Sequence, residues 1–144
     1  MAVPTYEILL VSPRSEDHAS LKTIFCGSRW QLREAWTLTE GQRIIRRHHA
    51  RIPVVICEHR WPDGDWKMLL ESGLAAARPS YIVCSRLADE RLWMEVLNLG
   101  AHDLLRCAPF KPQEVLQATE SAFAARAGAL TGNVAKSYAA SNSN

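Results

Sequence analysis

The sequence has little of several features that would point to a specialised class of protein. Its 144 residues include four cysteines, and no two of them form a CxxC pair. This argues against a disulfide framework and for a reducing compartment. The longest apolar runs, such as residues 8–11, fall far short of the ~18 residues that a membrane span needs, and the N-terminus lacks the pattern of a signal peptide. We therefore expect a cytoplasmic chain with no membrane contact.

Strong charge and glycine-rich loops are also missing. The net charge is +2 with 22% charged residues, which is too mild to imply nucleic acid as a partner. No glycine-rich loop follows the first apolar run, so binding of nucleotide or flavin phosphates is not supported. The hydrophobic fraction of 47% is ordinary for one globular domain.

Short apolar runs alternate with helical patterns along the chain. Strands are predicted at residues 6–11, 31–36, 54–57, 79–85 and 103–107, and the helices between them include 15–26, 65–77, 88–99 and 112–128. Strands joined by helical crossovers predict an α/β fold with a parallel sheet covered on both faces. Right-handed crossovers favour a flavodoxin-like, doubly wound (βα)5 domain with five strands in the order 2-1-3-4-5. Residues 1–128 would form this domain, and 129–144 a flexible polar tail or truncated linker.

Local signals add details to this prediction. Ser15 is a candidate cap for the first helix, and Thr37 with Glu40 forms a candidate capping box for the second. Trp36 and Trp93, two of five tryptophans, fit stripes that face the core.

The segment "VVICEHRWPDGDW", residues 54–66, runs from a buried strand directly into a turn rich in Pro, Gly and Asp. Glu58 lies at the carboxyl end of that strand. Open α/β proteins keep their functional groups at the carboxyl ends of strands. Glu58 is therefore the first candidate for a functional side chain.

This segment, together with "LNLGAHDLL" followed by Pro109-Phe110, resembles the receiver domain of bacterial response regulators over about residues 6–126. The family implies signalling in a two-component pathway. In it, an Asp at the end of the third strand accepts a phosphoryl group from a histidine kinase. Glu58 occupies that position here.

The resemblance implies further site positions, and this sequence departs from the family at each of them. Ser12 and Pro13 stand where the family has an acidic pair that helps hold Mg²⁺, and Cys84, followed by Ser85, stands where it has a Ser or Thr that contacts the phosphoryl group. Leu104 or Leu105 replaces an aromatic residue that moves when the domain switches. Cys107 or Ala108 replaces a Lys. Phosphoryl transfer needs a metal and a cation to neutralise the transferring group. We therefore expect a degenerate pseudo-receiver that has no Mg²⁺ or other cofactor, is not an enzyme and is independent of phosphorylation.

Three interpretations of Glu58 remain. It accepts a phosphoryl group in an unusual way, it mimics a phosphorylated Asp and holds the domain permanently "on", or it is a partly exposed acid that is solvated or paired with a nearby base such as His59 or Arg60. His59 and Trp61 are expected to cover the pocket.

The cysteines allow alternatives as well. Cys84 and Cys107 are predicted near Glu58, where they would form a zinc site with Glu58 or His59, a redox pair, or simply buried apolar contacts. Alternation along the strand points Cys57 to the opposite side from Glu58.

The basic run "RIIRRHHAR", residues 43–51, is either a solvated helix face or a docking patch for an acidic partner or nucleic acid. The expected partners are other signalling proteins or an output domain, and the surface of helix 4, strand 5 and helix 5 is a possible homodimer contact. The chain is either a stand-alone regulator or a fragment of a longer one.

Overall fold

The computed structural model of the chain describes residues 6–71, 79–107 and 109–130, with side chains as far as Arg126. Strands and helices alternate along these residues, as the sequence predicts. The strands are β1 (Glu7–Val11), β2 (Gln31–Ala35), β3 (Val54–Glu58), β4 (Arg60–Trp61), β5 (Gly64–Asp65), β6 (Ser80–Ser85) and β7 (Asp103–Arg106). The helices are α1 (Ser15–Phe25), α2 (Leu38–His48), α3 (Lys67–Leu70), α4 (Glu90–Asn98) and α5 (Pro112–Leu130). No helix within the described ranges is both long and apolar enough to cross a membrane.

Five strands form one parallel sheet in the order β2-β1-β3-β6-β7. Because β6 and β7 are the predicted fourth and fifth strands, this confirms the predicted order 2-1-3-4-5. The segment after β3, predicted as a turn, contains a small antiparallel hairpin of β4 and β5. The predicted tail, residues 129–144, lies outside the described residues except for the last two residues of α5.

Alternation along the central strands divides the core into two layers. Ile8 and Leu10 face a layer with α1 and α5, whereas Leu9 and Val11 face a layer with α2, α3 and α4. All four side chains are fully buried, as expected for a parallel sheet covered on both faces. Cys57 lies in the second layer, away from the first layer toward which Glu58 alternates.

Glycine at position 41 lets α2 lie close to the sheet. A Cβ on Gly41 would come within 2.9 Å of Val11 Cγ2 and 3.2 Å of Leu69 Cδ2. Side chains at those distances would have to move. The end of β1, where the functional positions begin, is therefore packed directly under this helix.

The helix caps follow the sequence only in part. Thr37 is the N-cap of α2 and its hydroxyl accepts the Glu40 N–H at 3.0 Å, as predicted. The prediction for Ser15 was wrong, since Arg14 is the N-cap of α1 without a side-chain bond. The hydroxyl of Ser12 accepts the Arg14 N–H at 3.1 Å instead and shapes this turn.

Two tryptophans predicted in the core are exposed. Trp93 is 45% exposed, because Leu92 and Val96 form the buried stripe of α4 and Trp93 lies at the margin of that stripe. Trp36 is 43% exposed and stacks on His18 with ring centroids 3.6 Å apart. The third helix, predicted from about residue 65, begins at Lys67 because Asp65 ends β5, and it is described as far as Leu70. Leu74, predicted on its inner face, lies outside the described residues.

Candidate functional site

Glu58 ends β3 and is only 2% exposed, so the expectation of a partly exposed acid was wrong. The chain after the strand folds back over it. Glu58 Oε2 accepts the Arg60 N–H at 3.0 Å, and the Trp61 indole N–H donates to the Glu58 carbonyl at 2.8 Å. The turn that follows β3 therefore encloses the acid rather than presenting it to solvent.

Two arginines face the Glu58 carboxylate. Arg14 Nε lies 3.5 Å and Arg86 Nη1 lies 3.6 Å from Glu58 Oε1. They replace the predicted side-chain partners His59 and Arg60. Arg14 comes shortly after β1 and Arg86 directly after β6, and these strands flank β3 in the sheet. Carboxyl ends of neighbouring parallel strands meet at one edge, which brings both cations to the acid.

A second buried acid, Asp17 on α1, completes this group. Asp17 is 2% exposed, accepts the Ser12 hydroxyl at 2.7 Å and lies 3.7 Å from Arg86 Nη2. Arg86 also forms an ion pair with Glu16. We call Arg14, Glu16, Asp17, Glu58 and Arg86 the Glu58 pocket.

Sequence reasoning missed Asp17 and both arginines. One signal was available for Asp17. It lies four residues before Leu21 and eight before Phe25, so it occupies a position on the buried stripe of α1. An acid on an apolar stripe needs a partner, and the pocket provides one.

The serines predicted at the site hold turns. Ser12 is fully buried, and its hydroxyl both donates to Asp17 and accepts the Arg14 N–H. Ser85 is 2% exposed, and its hydroxyl accepts the Leu87 N–H at 3.0 Å. Pro13, the other residue at the acidic-pair position, is exposed.

Cys84 and Cys107 lie together in the layer of α1 and α5, on the side of the sheet that Glu58 faces. Cys84 is the register partner of Glu58 across β3 and β6. A hydrogen bond to Cys107 and burial raise the pKa of the Cys84 thiol, and the same bond lowers the pKa of Cys107. On the other side of the sheet, burial raises the pKa of Cys57. Ala108 lies outside the described residues.

His59 comes directly before β4, and Trp61 belongs to it. The His59 N–H donates to the Cys84 carbonyl at 2.9 Å, and the half-buried Trp61 packs against the layer of α2, α3 and α4. The side chains that contact the Glu58 carboxylate are those of Arg14 and Arg86.

The pocket sets two guanidinium groups against three carboxylates, and two of its atoms lack hydrogen bonds. Glu58 Oε1 and Arg86 Nη1 are both buried and have no hydrogen-bond partner. Mg²⁺ prefers hard oxygen ligands in octahedral geometry, and the guanidinium groups already stand beside the oxygens it would use. Across the described residues, no group of three or more His, Cys, Asp or Glu side chains is arranged to hold a metal ion. The residues therefore do not fit Mg²⁺, and we derive no step through it.

Comparison with known proteins identifies the fold. No protein-family model matches the sequence, and no curated protein matches it. The structure is similar to a response regulator receiver domain protein from Clostridium thermocellum (TM-score 0.71, 21% identity, 82% of this chain and 94% of that one). It is also similar to a CheY-like receiver domain protein from Methanospirillum hungatei (0.72, 20%, 86% and 98%) and to a CheX-CheY-BeF3-Mg complex from Borrelia burgdorferi (0.72, 22%, 82% and 89%). At these identities the likeness establishes the flavodoxin-like fold that receiver domains adopt.

Proposed function

We propose that this chain is a receiver-like module of response-regulator signalling that acts without phosphorylation, through contacts with other proteins, and is not an enzyme. The observation that carries the proposal is the placement of Arg14 and Arg86 against Glu58. The position that the resemblance assigns to the phosphoryl acceptor is thus already occupied by internal ion pairs.

Physical chemistry supports this proposal in two ways. A phosphoryl donor would have to displace the guanidinium of Arg86 from three carboxylates, those of Glu16, Asp17 and Glu58. The nucleophile is also misplaced, because Glu58 is one methylene longer than an Asp. Misplacement of about 1 Å can cost ~100-fold in rate.

The test is incubation with acetyl phosphate and Mg²⁺, followed by intact-mass measurement. We expect no phosphoryl adduct and no rise in melting temperature with Mg²⁺ and beryllofluoride, since a ligand of the folded state must raise it. A receiver that carries an Asp at this position is the positive control. An adduct on the wild type that is absent from Glu58→Gln would contradict the proposal.

A second candidate is a receiver held permanently "on", with Glu58 as a fixed anion in place of a phosphorylated Asp. Arg86 belongs to the turn between β6 and α4, and its ion pairs tie this turn to α1. If Glu58 sets the position of the turn, Glu58→Gln should speed hydrogen exchange across residues 86–98. Unchanged exchange there would argue against this candidate.

Exposed apolar side chains on and near α4 support action through protein contacts. Leu87, Trp93 and Met94 are 59%, 45% and 55% exposed. A groove of about 370 Å³ lies nearby between β7 and α5. We propose that α4, β7 and α5 form a contact surface for a partner or a second copy. Light scattering of the wild type and of Trp93→Glu tests whether this surface forms a homodimer. A homodimer through this surface requires that the wild type has the mass of a dimer and that the substitution weakens it.

A third candidate uses Cys84 and Cys107 as a redox pair, favoured by their position together in the layer of α1 and α5. Two thiols and one hydrogen peroxide would give one disulfide and two waters. Both residues are almost fully buried, so we expect no reaction in the folded protein. A mass loss of two hydrogens that Cys84→Ser abolishes would establish the pair.

A further inference from the structure

Three arginines form an exposed stripe on α2. Arg43, Arg46 and Arg47 are all exposed, and their spacing by three and four residues puts them on one face of the helix. Ile45, which is fully buried, marks the opposite face toward the sheet. The stripe therefore points to solvent, although the net charge of the whole chain is only +2.

The stripe has no counter-charge of its own. The described part of the chain offers no ion-pair partner to these three guanidinium groups, whereas the nearby Glu7 pairs with Arg33 and Arg51. Like charges three and four residues apart destabilise a helix by about 0.2–0.5 kcal/mol per pair. Arg46 and Arg47 gain from the dipole of the last turn, but Arg43 is too far from it. Helix stability alone does not account for the stripe.

An apolar side chain lies beside the stripe. Met68, 37% exposed, lies next to α2, where the Gln42 side chain donates to its carbonyl at 3.0 Å. Met and Arg are residue types enriched in the contacts between proteins.

We propose that Arg43, Arg46, Arg47 and Met68, together the α2 surface, dock an acidic segment of another protein. The planar guanidinium fork suits bidentate pairing with carboxylates, and the Met68 side chain suits an apolar residue at the margin of such a segment. The low net charge of the chain disfavours a nucleic-acid partner. The inference goes beyond the proposed function and does not depend on the state of Glu58.

The experiment measures binding of a dye-labelled helical peptide by fluorescence anisotropy. The peptide carries glutamates three and four residues apart and one leucine. We expect saturable binding that weakens as salt screens it, and that falls by about tenfold or more in Arg46→Glu/Arg47→Glu. The matched control is Lys22→Glu/Lys111→Glu, which makes the same change of charge on α1 and before α5, away from the α2 surface, and should leave the affinity within about twofold.

Three outcomes would overturn the inference. They are no binding to the wild type, equal losses in both double variants, and binding of a DNA duplex of matched charge in preference to the peptide. Circular dichroism of each variant verifies folding, which we expect to be intact because every substituted side chain is exposed. The assay contains no phosphodonor, so its failure is distinct from failure of the phosphorylation test.

Discussion

Arginine–carboxylate clusters lie at both ends of the sheet and are built differently. At the amino end, Glu120 of α5 accepts hydrogen bonds from Arg29 at 2.7 and 3.0 Å and from the Trp30 indole at 2.9 Å. Arg29 also lies over the rings of Trp30 and Phe123, and Tyr6 packs against both rings. We call these five residues the Glu120 seam.

The Glu58 pocket at the carboxyl end has the opposite balance of burial and hydrogen bonding. Glu120 and Arg29 are half exposed, yet their bonds are complete. Glu58 is buried, yet its Oε1 has two guanidinium groups at 3.5 and 3.6 Å and no hydrogen bond. Buried polar atoms are normally bonded, and exceptions call for an explanation.

This difference distinguishes the Glu120 seam, a structural contact, from the Glu58 pocket, the candidate functional site. In the Glu120 seam, aromatic packing and bidentate pairing join α5 to the start of β1 and β2. These contacts stabilise the fold. In the Glu58 pocket two guanidinium groups face three carboxylates, but the closest approaches to Glu58 Oε1 are 3.5 and 3.6 Å and that oxygen accepts no hydrogen bond. Three changes test this contrast.

The largest effect is expected at the Glu120 seam. Trp30 is 5% exposed, and Trp30→Ala should lower the free energy of unfolding by about 3–5 kcal/mol through lost contacts and a cavity. Trp30→Phe keeps most of the ring and should cost less. Urea unfolding of both variants measures this. Equal costs would mean that the hydrogen bond to Glu120, and not packing, holds the seam.

An intermediate effect is expected in the Glu58 pocket. Arg86→Ala leaves the buried carboxylates of Asp17 and Glu58 with Arg14 as their remaining nearby cation. The cost should be about 2 kcal/mol, below the ~3–5 of a fully buried pair, since Arg86 is 26% exposed. Adding Glu58→Gln removes one buried charge and should recover part of the loss in urea unfolding. No recovery would show that Glu58 is neutralised by other groups.

The smallest effect concerns the half-exposed Glu120. Bonding to Arg29 lowers the pKa of Glu120 from 4.5, so the stabilisation is present above about 4.5 and is lost as pH falls through the lower folded-state value. Glu120→Gln should cost at most about 1 kcal/mol at neutral pH. Its unfolding free energy should converge with that of the wild type in acid. A difference that persists in acid would assign the effect to shape rather than charge.

Local sequence patterns predicted most of the fold, because strands, helices and helix caps depend on residues that are close together in the chain. The buried apolar run of β1, the Thr37 cap and the helical crossovers all follow from local pattern and spacing, and the sheet order is confirmed. The prediction that Trp36 and Trp93 face the core was wrong, because an apolar residue at the margin of a stripe can face either the core or the solvent. Only packing against a second element decides which side it takes.

The sequence by itself determined the order of the elements, the parallel sheet and the position of Glu58 at the end of β3. The tertiary structure decided what surrounds that acid. Arg14 and Asp17 come from the start of α1, and Arg86 comes from the turn after β6. They meet Glu58 because β1 and β6 flank β3 and α1 begins above the same edge. An ion pair depends on separations within about 4 Å, and residue spacing along the chain does not determine distances between strands at that precision.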